Sequence, residues 1–337
     1  MMAMLVVVAF FLALLLTWVI RQYARQHLLD IPNQRSSHQQ PTPRGGGLAI
    51  VLGFFAALSL AVLTDTLQAC VLQLFGASLM IAAIGFWDDH QALAARWRIL
   101  VHIGAAAGAL LIMPGLPALQ IGAHSIEPGV IGWILALLFL VWMLNLFNFM
   151  DGIDGLAASE AVYIATALGG FMLVIEPPLA LPALALAAAS LGFLFWNWPP
   201  AKIFMGDVGS GFLGFVLGLL ILWYAHQHLQ FLAAGLILSA VFITDASLTL
   251  LTRLFTGQRW YQAHCSHAYQ QSARQYGHLP VVLAVWAINL CWLLPLAALA
   301  LWRPGYSALA LLAAYAPLIY LARRFQAGNL PEKTVDS

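Results

Sequence analysis

Six aspartates hold most of the chemistry this sequence can do. Asp88 and Asp89 stand side by side, Asp151 and Asp154 close a polar run, and Asp207 and Asp245 follow later in the chain. Two adjacent carboxylates repel each other unless a cation lies near them. Neighbouring side chains on a helix point about 100° apart, so one of the pair can bind or orient while the other acts as a base. A helix stop is the plainer reading of such a pair.

In Asn145-Leu146-Phe147-Asn148-Phe149-Met150-Asp151-Gly152-Ile153-Asp154-Gly155 the polar residues recur at every third position. On a straight α-helix three residues advance by roughly −60°, so Asn145 and Asp154 would face opposite ways. The run must leave the helix, and Gly152 and Gly155 give it the freedom to do so. The amide and carboxylate oxygens it presents suit Mg²⁺, the edge of a uracil or sugar hydroxyls. N-cap chemistry at a polar turn explains one aspartate there, not two asparagines and two aspartates.

Asp207 lies in Lys202-Ile203-Phe204-Met205-Gly206-Asp207-Val208-Gly209-Ser210-Gly211. An aspartate there can cap a helix. The glycines also let a ligand approach the backbone, and a helix N-terminus beside a bound metal favours phosphate. No Gly-Lys-Ser/Thr follows, so this is not a Walker A loop. His264 and His267 stand with Arg253, Arg259, Arg274 and His278 in the stretch 251–280. No glutamate separates the two histidines and Cys265 is alone, so the strip suits a diphosphate better than zinc. Arg44, before Gly45-Gly46-Gly47, and Arg96 and Arg98, after the aspartate pair, are further candidates for phosphate. Close helix packing by the glycines and headgroup binding by the arginines are the plainer readings.

These residues need elements to position them. Of 337 residues, 62% are hydrophobic and 8% charged, with a net charge of +1. A soluble domain carries about 25% charged residues. The bilayer is the solvent that fits, and the charge balance argues against nucleic acid. Eleven apolar runs approach the roughly 20 residues a spanning helix needs: 3–20, 46–64, 68–86, 99–113, 130–148, 157–175, 179–196, 209–225, 230–250, 281–301 and 305–322. The expected fold is an all-α polytopic membrane protein of about 11 transmembrane helices, N-terminus periplasmic and C-terminus cytoplasmic. Residues 1–325 form a single transmembrane catalytic domain and 326–337 a cytoplasmic tail.

The first run has its positive charges, Arg21 and Arg25, after the apolar stretch, and reads as a retained helix rather than a signal peptide. Alternating the spans from an outer N-terminus leaves Arg303 as the one outside residue among the 14 Lys and Arg. Cytoplasmic loops carry such an excess. The same alternation puts Asp88, Asp89, Asp151, Asp154 and Asp207 at inner span ends, with Asp245 near one. An ionised aspartate at the bilayer centre costs about 2.5–3.5 kcal/mol on insertion scales, and the boundary avoids most of that. Ordinary anchoring would scatter such groups over both faces, yet the outside holds only Asp65, Glu127 and Glu176. Cys70, Cys265 and Cys291 have no metal spacing and read as reduced bystanders.

In this order between spans, Pro43-Arg44-Gly45-Gly46-Gly47, Asp88-Asp89, Asn145 to Leu156, Phe204 to Ser210, Asp245 to Arg253 and the loop histidines resemble the signature blocks of the polyprenyl-phosphate N-acetylhexosamine-1-phosphate transferase family. The resemblance covers roughly residues 30–280. It implies transfer of N-acetylhexosamine-1-phosphate from a UDP-sugar to undecaprenyl phosphate, with release of UMP and the start of a lipid-linked cell-surface glycan. The expected location is the bacterial inner membrane, with a cytoplasmic active site. The resemblance implies that Asp207 and Asn148 hold Mg²⁺, with Mn²⁺ as the alternative ion. It implies that Phe204 stacks on uracil and Asp154 bonds the base, with Asp151 in the same nucleotide site. Asp88 and Asp89 are expected as base or nucleophile toward the lipid phosphate, with Asp207 as a third catalytic carboxylate. Arg98, His264, His267, Arg259 and Arg44 are expected on phosphate and sugar. His264-Cys265-Ser266-His267-Ala268-Tyr269-Gln270 looks closer to the branch that starts O-antigen chains, with donors such as UDP-FucNAc or UDP-QuiNAc. Cys265 departs from the arginine expected at that position, which the resemblance would place on a phosphate. Membrane lipid and a second copy in a homodimer are the remaining partners expected.

Two other classes compete. A polytopic transporter with an interfacial acidic site should place acids in broken helices at mid-bilayer, often within repeats, and no internal repeat is visible. An intramembrane aspartyl protease uses Gly-x-Gly-Asp, whereas Phe204 stands two residues before Gly206.

Overall fold

The computed structural model describes residues 1–32, 40–121, 124–258 and 264–329. Each of the eleven apolar runs is helical. The first is α1 (Met2–His27), and the second α2 (Leu48–Leu63), an apolar helix of 16 residues. Next come α3 (Ala69–Gly76) with α4 (Ser78–His90) as one span, α5 (Ala95–Ile112), α6 (Gly129–Met150) and α7 (Leu156–Ile175). A short turn and α8 (Leu181–Asn197) are followed by α9 (Asp207–Gln227). The ninth run, expected as one helix, is two: α10 (Gln230–Leu238) and α11 (Ala240–Phe255) bend by 69° at Ser239. After α12 (Ala268–Tyr276) come α13 (His278–Ile288), α14 (Leu294–Trp302) and α15 (Ser307–Arg324). Among the described residues nine helical segments are long and apolar enough to cross a membrane, and the bent pair makes up to ten. The protein is a multi-pass membrane protein.

Helix α9 forms the centre. Its apolar window is wholly buried, whereas less than a quarter of that of α1 or α15 is. Small residues make that centre possible, because without a hydrophobic drive between helices in lipid, close backbone approach supplies the packing. A Cβ on Gly214 would lie 2.2 Å from the carbonyl oxygen of Met143, so α6 and α9 touch backbone to backbone.

Between α13 and α14, Asn289–Leu293 form a π-helical turn just before Pro295, which has no N–H to donate to the preceding turn. At that turn the buried Asn289 donates from Nδ2 to Oε2 of the buried Glu160 on α7, at 2.6 Å. A short ladder pairs β1 (Leu29–Asp30) with β2 (Thr42–Pro43), and the loop between α5 and α6 holds a two-stranded hairpin, β3 (Leu119–Ile121) with β4 (His124–Ile126).

Candidate active site

The site is assembled around the start of α9. Gly206 precedes it at φ +78, a conformation that favours glycine, and the first helical residue is Asp207. The orphan N–H groups of the first turn need acceptors. Asp89 at the end of α4 supplies them: Oδ1 accepts from Asp207 N at 3.0 Å and Oδ2 from Val208 N at 3.2 Å. A carboxylate suits this positive helix end, and Asp89 is 4% exposed. Arg44 in turn donates to the backbone oxygen of Asp89. Two close approaches fix the arrangement. A Cβ on Gly85 would lie 2.5 Å from the Asp207 carbonyl oxygen, and one on Gly206 would lie 2.5 Å from Asp89 Oδ2.

With its main chain held this way, Asp207 turns its carboxylate toward three helices. Oδ1 accepts from Asn148 Nδ2 at 2.9 Å, and the same amide reaches Ser210 Oγ at 3.1 Å. Oδ2 meets Arg98 Nη1 at 3.3 Å, and that nitrogen also donates to Asp88 Oδ2 at 2.8 Å. Asp88 Oδ1 accepts from Leu93 N at 2.6 Å. Asp88, Arg98, Asp207 and Asn148 thus form one connected polar group drawn from α4, α5, α9 and α6. Asn145 and Asn148 remain on the last turns of α6, which runs to Met150, so the chain leaves the helix only at Asp151. Burial pushes the Asp151 carboxyl well above the ordinary carboxylate range, and the charges of Asp207, Asp89 and Asp154 push it further.

Arg98, Asn148 and Asp207 of this group line a cavity of about 820 Å³, and Asp88 reaches it only through Arg98. Arg98, Asn145, Asn148, Asp207, His264 and His267 give it a polar side. Ile99, Leu138, Val141, Trp142 and Leu250 give it an apolar side. Ile99 and Leu138 are 51% and 55% exposed, so that side reaches the outer face of the spans.

The histidine stretch is held against the cavity by Asp245 on α11. Its oxygens accept from the N–H groups of Ala268 at 2.9 Å and Tyr269 at 2.8 Å, capping α12, and Oδ1 lies 3.3 Å from His267 Nδ1. Tyr269 donates from its hydroxyl to the carbonyl of Phe149 at 2.9 Å, in space left by Gly152. Burial, then His267 and Arg253, lower the His264 pKa to about 4. The ring is therefore neutral at pH 7 when no anion is bound, and the cationic character expected of this stretch falls to its arginines.

Asp154 and Phe204 lie outside the walls of this cavity. Asp154 Oδ2 accepts from Ala201 N at 3.0 Å and pairs with His278 Nδ1 at 3.3 Å, tying the start of α7 to the loop before α9 and to α13. Phe204 is partly exposed in that loop; its N–H donates to Pro43 at 2.8 Å and its carbonyl accepts from Gly46 at 3.0 Å. This ladder brings the Pro43–Gly47 block to the Asp207 loop. Arg259 lies outside the described residues. Three roles had no sequence signal: the capping by Asp89, the capping by Asp245, and the buried pair Glu160–Asn289. Cys70, Cys265 and Cys291 are free.

Among the described residues no three His, Cys, Asp or Glu side chains cluster tightly enough to hold a metal alone. Mg²⁺ uses one or two carboxylates and completes its shell with water and substrate phosphates. Asp207, with an amide on one side and a second carboxylate reached through Arg98, is such a partial donor set. Asp88 and Asp207 share the single guanidinium of Arg98, which leaves one negative charge uncompensated when both are ionised, and a cation fits that balance.

Residues 71–225 match the model of glycosyl transferase family 4. The chain is similar to the probable undecaprenyl-phosphate N-acetylglucosaminyl 1-phosphate transferase of Bacillus subtilis (strain 168). The two are 30% identical over 303 residues, covering 84% of this chain and 82% of that protein. It is also similar to the decaprenyl-phosphate N-acetylglucosaminephosphotransferase of Mycolicibacterium smegmatis (strain ATCC 700084 / mc(2)155), at 35% identity over 60% of this chain and 54% of that protein. A third relative is the phospho-N-acetylmuramoyl-pentapeptide-transferase of Mycolicibacterium paratuberculosis (strain ATCC BAA-968 / K-10), at 28% identity over 84% and 92%.

Proposed function

The chain belongs to glycosyl transferase family 4, among the polyprenyl-phosphate N-acetylhexosamine-1-phosphate transferases, and from that premise we propose that it moves N-acetylhexosamine-1-phosphate from a UDP-sugar to undecaprenyl phosphate at the cytoplasmic face of a bacterial inner membrane. The observation that supports this most is the two-sided cavity. A diphosphate and a sugar need the polar side, and a prenyl chain needs the apolar side formed by α5, α6 and α11.

An oxygen of the lipid phosphate attacks the phosphorus that bears the sugar. The new P–O bond forms as the bond to the UMP phosphate breaks, and UMP leaves. Asp88, half-buried and oriented by Arg98 and Leu93 N, takes the proton of a singly protonated lipid phosphate. Asp89 has both oxygens engaged on α9, and we give it the task of aiming Asp207. Arg98 offers its guanidinium to the charge that builds on the phosphates. Asp207 and Asn148 would hold Mg²⁺, which supplies charge neutralisation of the diphosphate when bound. Phe204 and Asp154 remain the candidates for the uracil, with Asp151 beside them, and His264, His267, Arg44 and Arg259 for phosphate and sugar.

Membranes supplied with undecaprenyl phosphate, UDP-sugar and Mg²⁺ should release UMP, and Asp207→Ala or a chelator should abolish that release. Full activity in either case would sink the metal role. A panel of UDP-GlcNAc, UDP-FucNAc and UDP-QuiNAc reads the donor and tests the O-antigen assignment: turnover of UDP-GlcNAc alone would argue against it.

A further inference from the structure

Away from the reaction centre, the end of α8 presents a second lipid-facing feature. Lys202 Nζ lies 5.5 Å from the Trp196 ring centre and 6.0 Å from that of Phe195, and the Arg21 guanidinium lies 5.4 Å from the same Trp196 ring. Trp196 is fixed by its own N–H, which donates to the Leu14 carbonyl at 3.0 Å, and Arg21 Nε donates to the Lys202 carbonyl at 3.2 Å. Two cations from different elements are thus gathered on one indole. Among the described residues neither meets a carboxylate. Both cations are therefore open to an anionic group at this end of the spans.

Directly beside them runs an apolar groove of about 690 Å³ between α1, α8 and α13, with Phe10, Leu191, Phe195, Trp198 and Leu283 in its walls. Phe195 belongs to both features: its ring is near Lys202 and also lines the groove. Phe195 and Leu283 are 62% and 52% exposed, so the groove opens on the outer surface. An amphiphile with an acidic head and long apolar chains matches this combination of charge and shape.

We propose that this groove binds an anionic phospholipid, its chains between α1, α8 and α13 and its headgroup phosphate between Arg21 and Lys202. The site is separate from the cavity beneath Asp207 and does not depend on the reaction assigned there.

The full-length protein, purified in a neutral detergent, is titrated with phosphatidylglycerol or phosphatidylcholine of the same chains, and bound lipid is counted by native mass spectrometry. The wild type should retain phosphatidylglycerol in preference to phosphatidylcholine. Arg21→Gln and Lys202→Gln should each cut that preference by about five-fold, the effect of one basic residue at an anionic membrane surface. Arg303→Gln, past the end of α14 and without a ring contact, should leave it unchanged. Reading the ratio within each variant keeps a general loss of folding from counting as support. Equal retention of the two lipids by the wild type would overturn the proposal. So would displacement of phosphatidylglycerol by an equal concentration of undecaprenyl phosphate, which would make the groove an acceptor site.

Discussion

Arg98 is shared by two carboxylates on different spans: its Nη1 lies 2.8 Å from Asp88 and 3.3 Å from Asp207. Removing it leaves two half-buried anions to repel each other and takes a cation from the cavity wall. Arg98→Ala should lower the rate of UMP release about 10²–10³-fold, the usual cost of losing one electrostatic stabiliser. Arg98→Lys keeps the charge but not the planar fork, and should fall between. An unchanged kcat/KM for Arg98→Ala would remove this residue from the phosphate site.

The adjacent aspartates should separate in their effects. Asp88→Asn keeps an acceptor for Leu93 N and should abolish turnover with little change in thermal unfolding. Asp89→Ala strips two N–H groups of α9 of their acceptor, and an N-cap loss costs about 0.5–2 kcal/mol, with more for donors left buried. Asp89→Ala should therefore lower the unfolding temperature as well as activity. Matching unfolding curves for the two variants would contradict the assignment.

Asp151 carries a pH dependence. Its folded pKa is raised above the unfolded value of about 3.9, so its contribution to stability is fully present below that value and is lost as pH rises through the folded pKa. Metal-free protein should lose unfolding temperature across that rise, and Asp151→Asn should flatten the loss. Identical pH profiles for wild type and variant would show that the crowding of carboxylates has no energetic weight.

His264 gives a spectroscopic test. Its folded pKa of about 4 lies below the ordinary 6.5, so the neutral ring contributes stability above pH 6.5, lost as pH falls toward 4. A bound diphosphate favours the charged ring and should move its titration upward on addition of UDP-sugar, read by histidine NMR. A titration that stays in place would take His264 off the donor phosphates.

The pair Glu160–Asn289 is a structural prediction. Glu160 Oε1 and Asn289 Oδ1 have no partner, although the two side chains already share one hydrogen bond. Glu160→Gln can form a reciprocal amide pair and should be tolerated. Asn289→Leu leaves the buried carboxyl without its donor and should cost about 1–3 kcal/mol. Equal unfolding temperatures for the two variants would deny the pair any role in joining α7 to α13.

Much of this arrangement was legible from the residues. Apolar runs locate helices because backbone in lipid must satisfy itself, and basic residues on alternate connections pointed Asp88, Asn148 and Asp207 toward one surface. The same reasoning could not foresee the caps by Asp89 and Asp245. A side chain that caps a distant helix leaves no mark in its own neighbourhood. It also missed the bend at Ser239, which no proline marks and which falls four residues after Gly235, and Glu160, which sits within an otherwise uncharged span.

The contacts at Gly85, Gly206 and Gly214 place main chain against main chain or against a fixed carboxylate. A helix seated on backbone cannot slide when a neighbouring side chain is exchanged. The Asp207 end of the cavity is therefore mechanically insulated from its apolar and histidine-bearing sides. Substitutions at Trp142, Leu250 or His264 can reshape what the cavity accepts without disturbing Asp207. The enzyme can thus be retuned toward new sugars or lipid tails, whereas a single added methyl at Gly85 should disable it for every substrate.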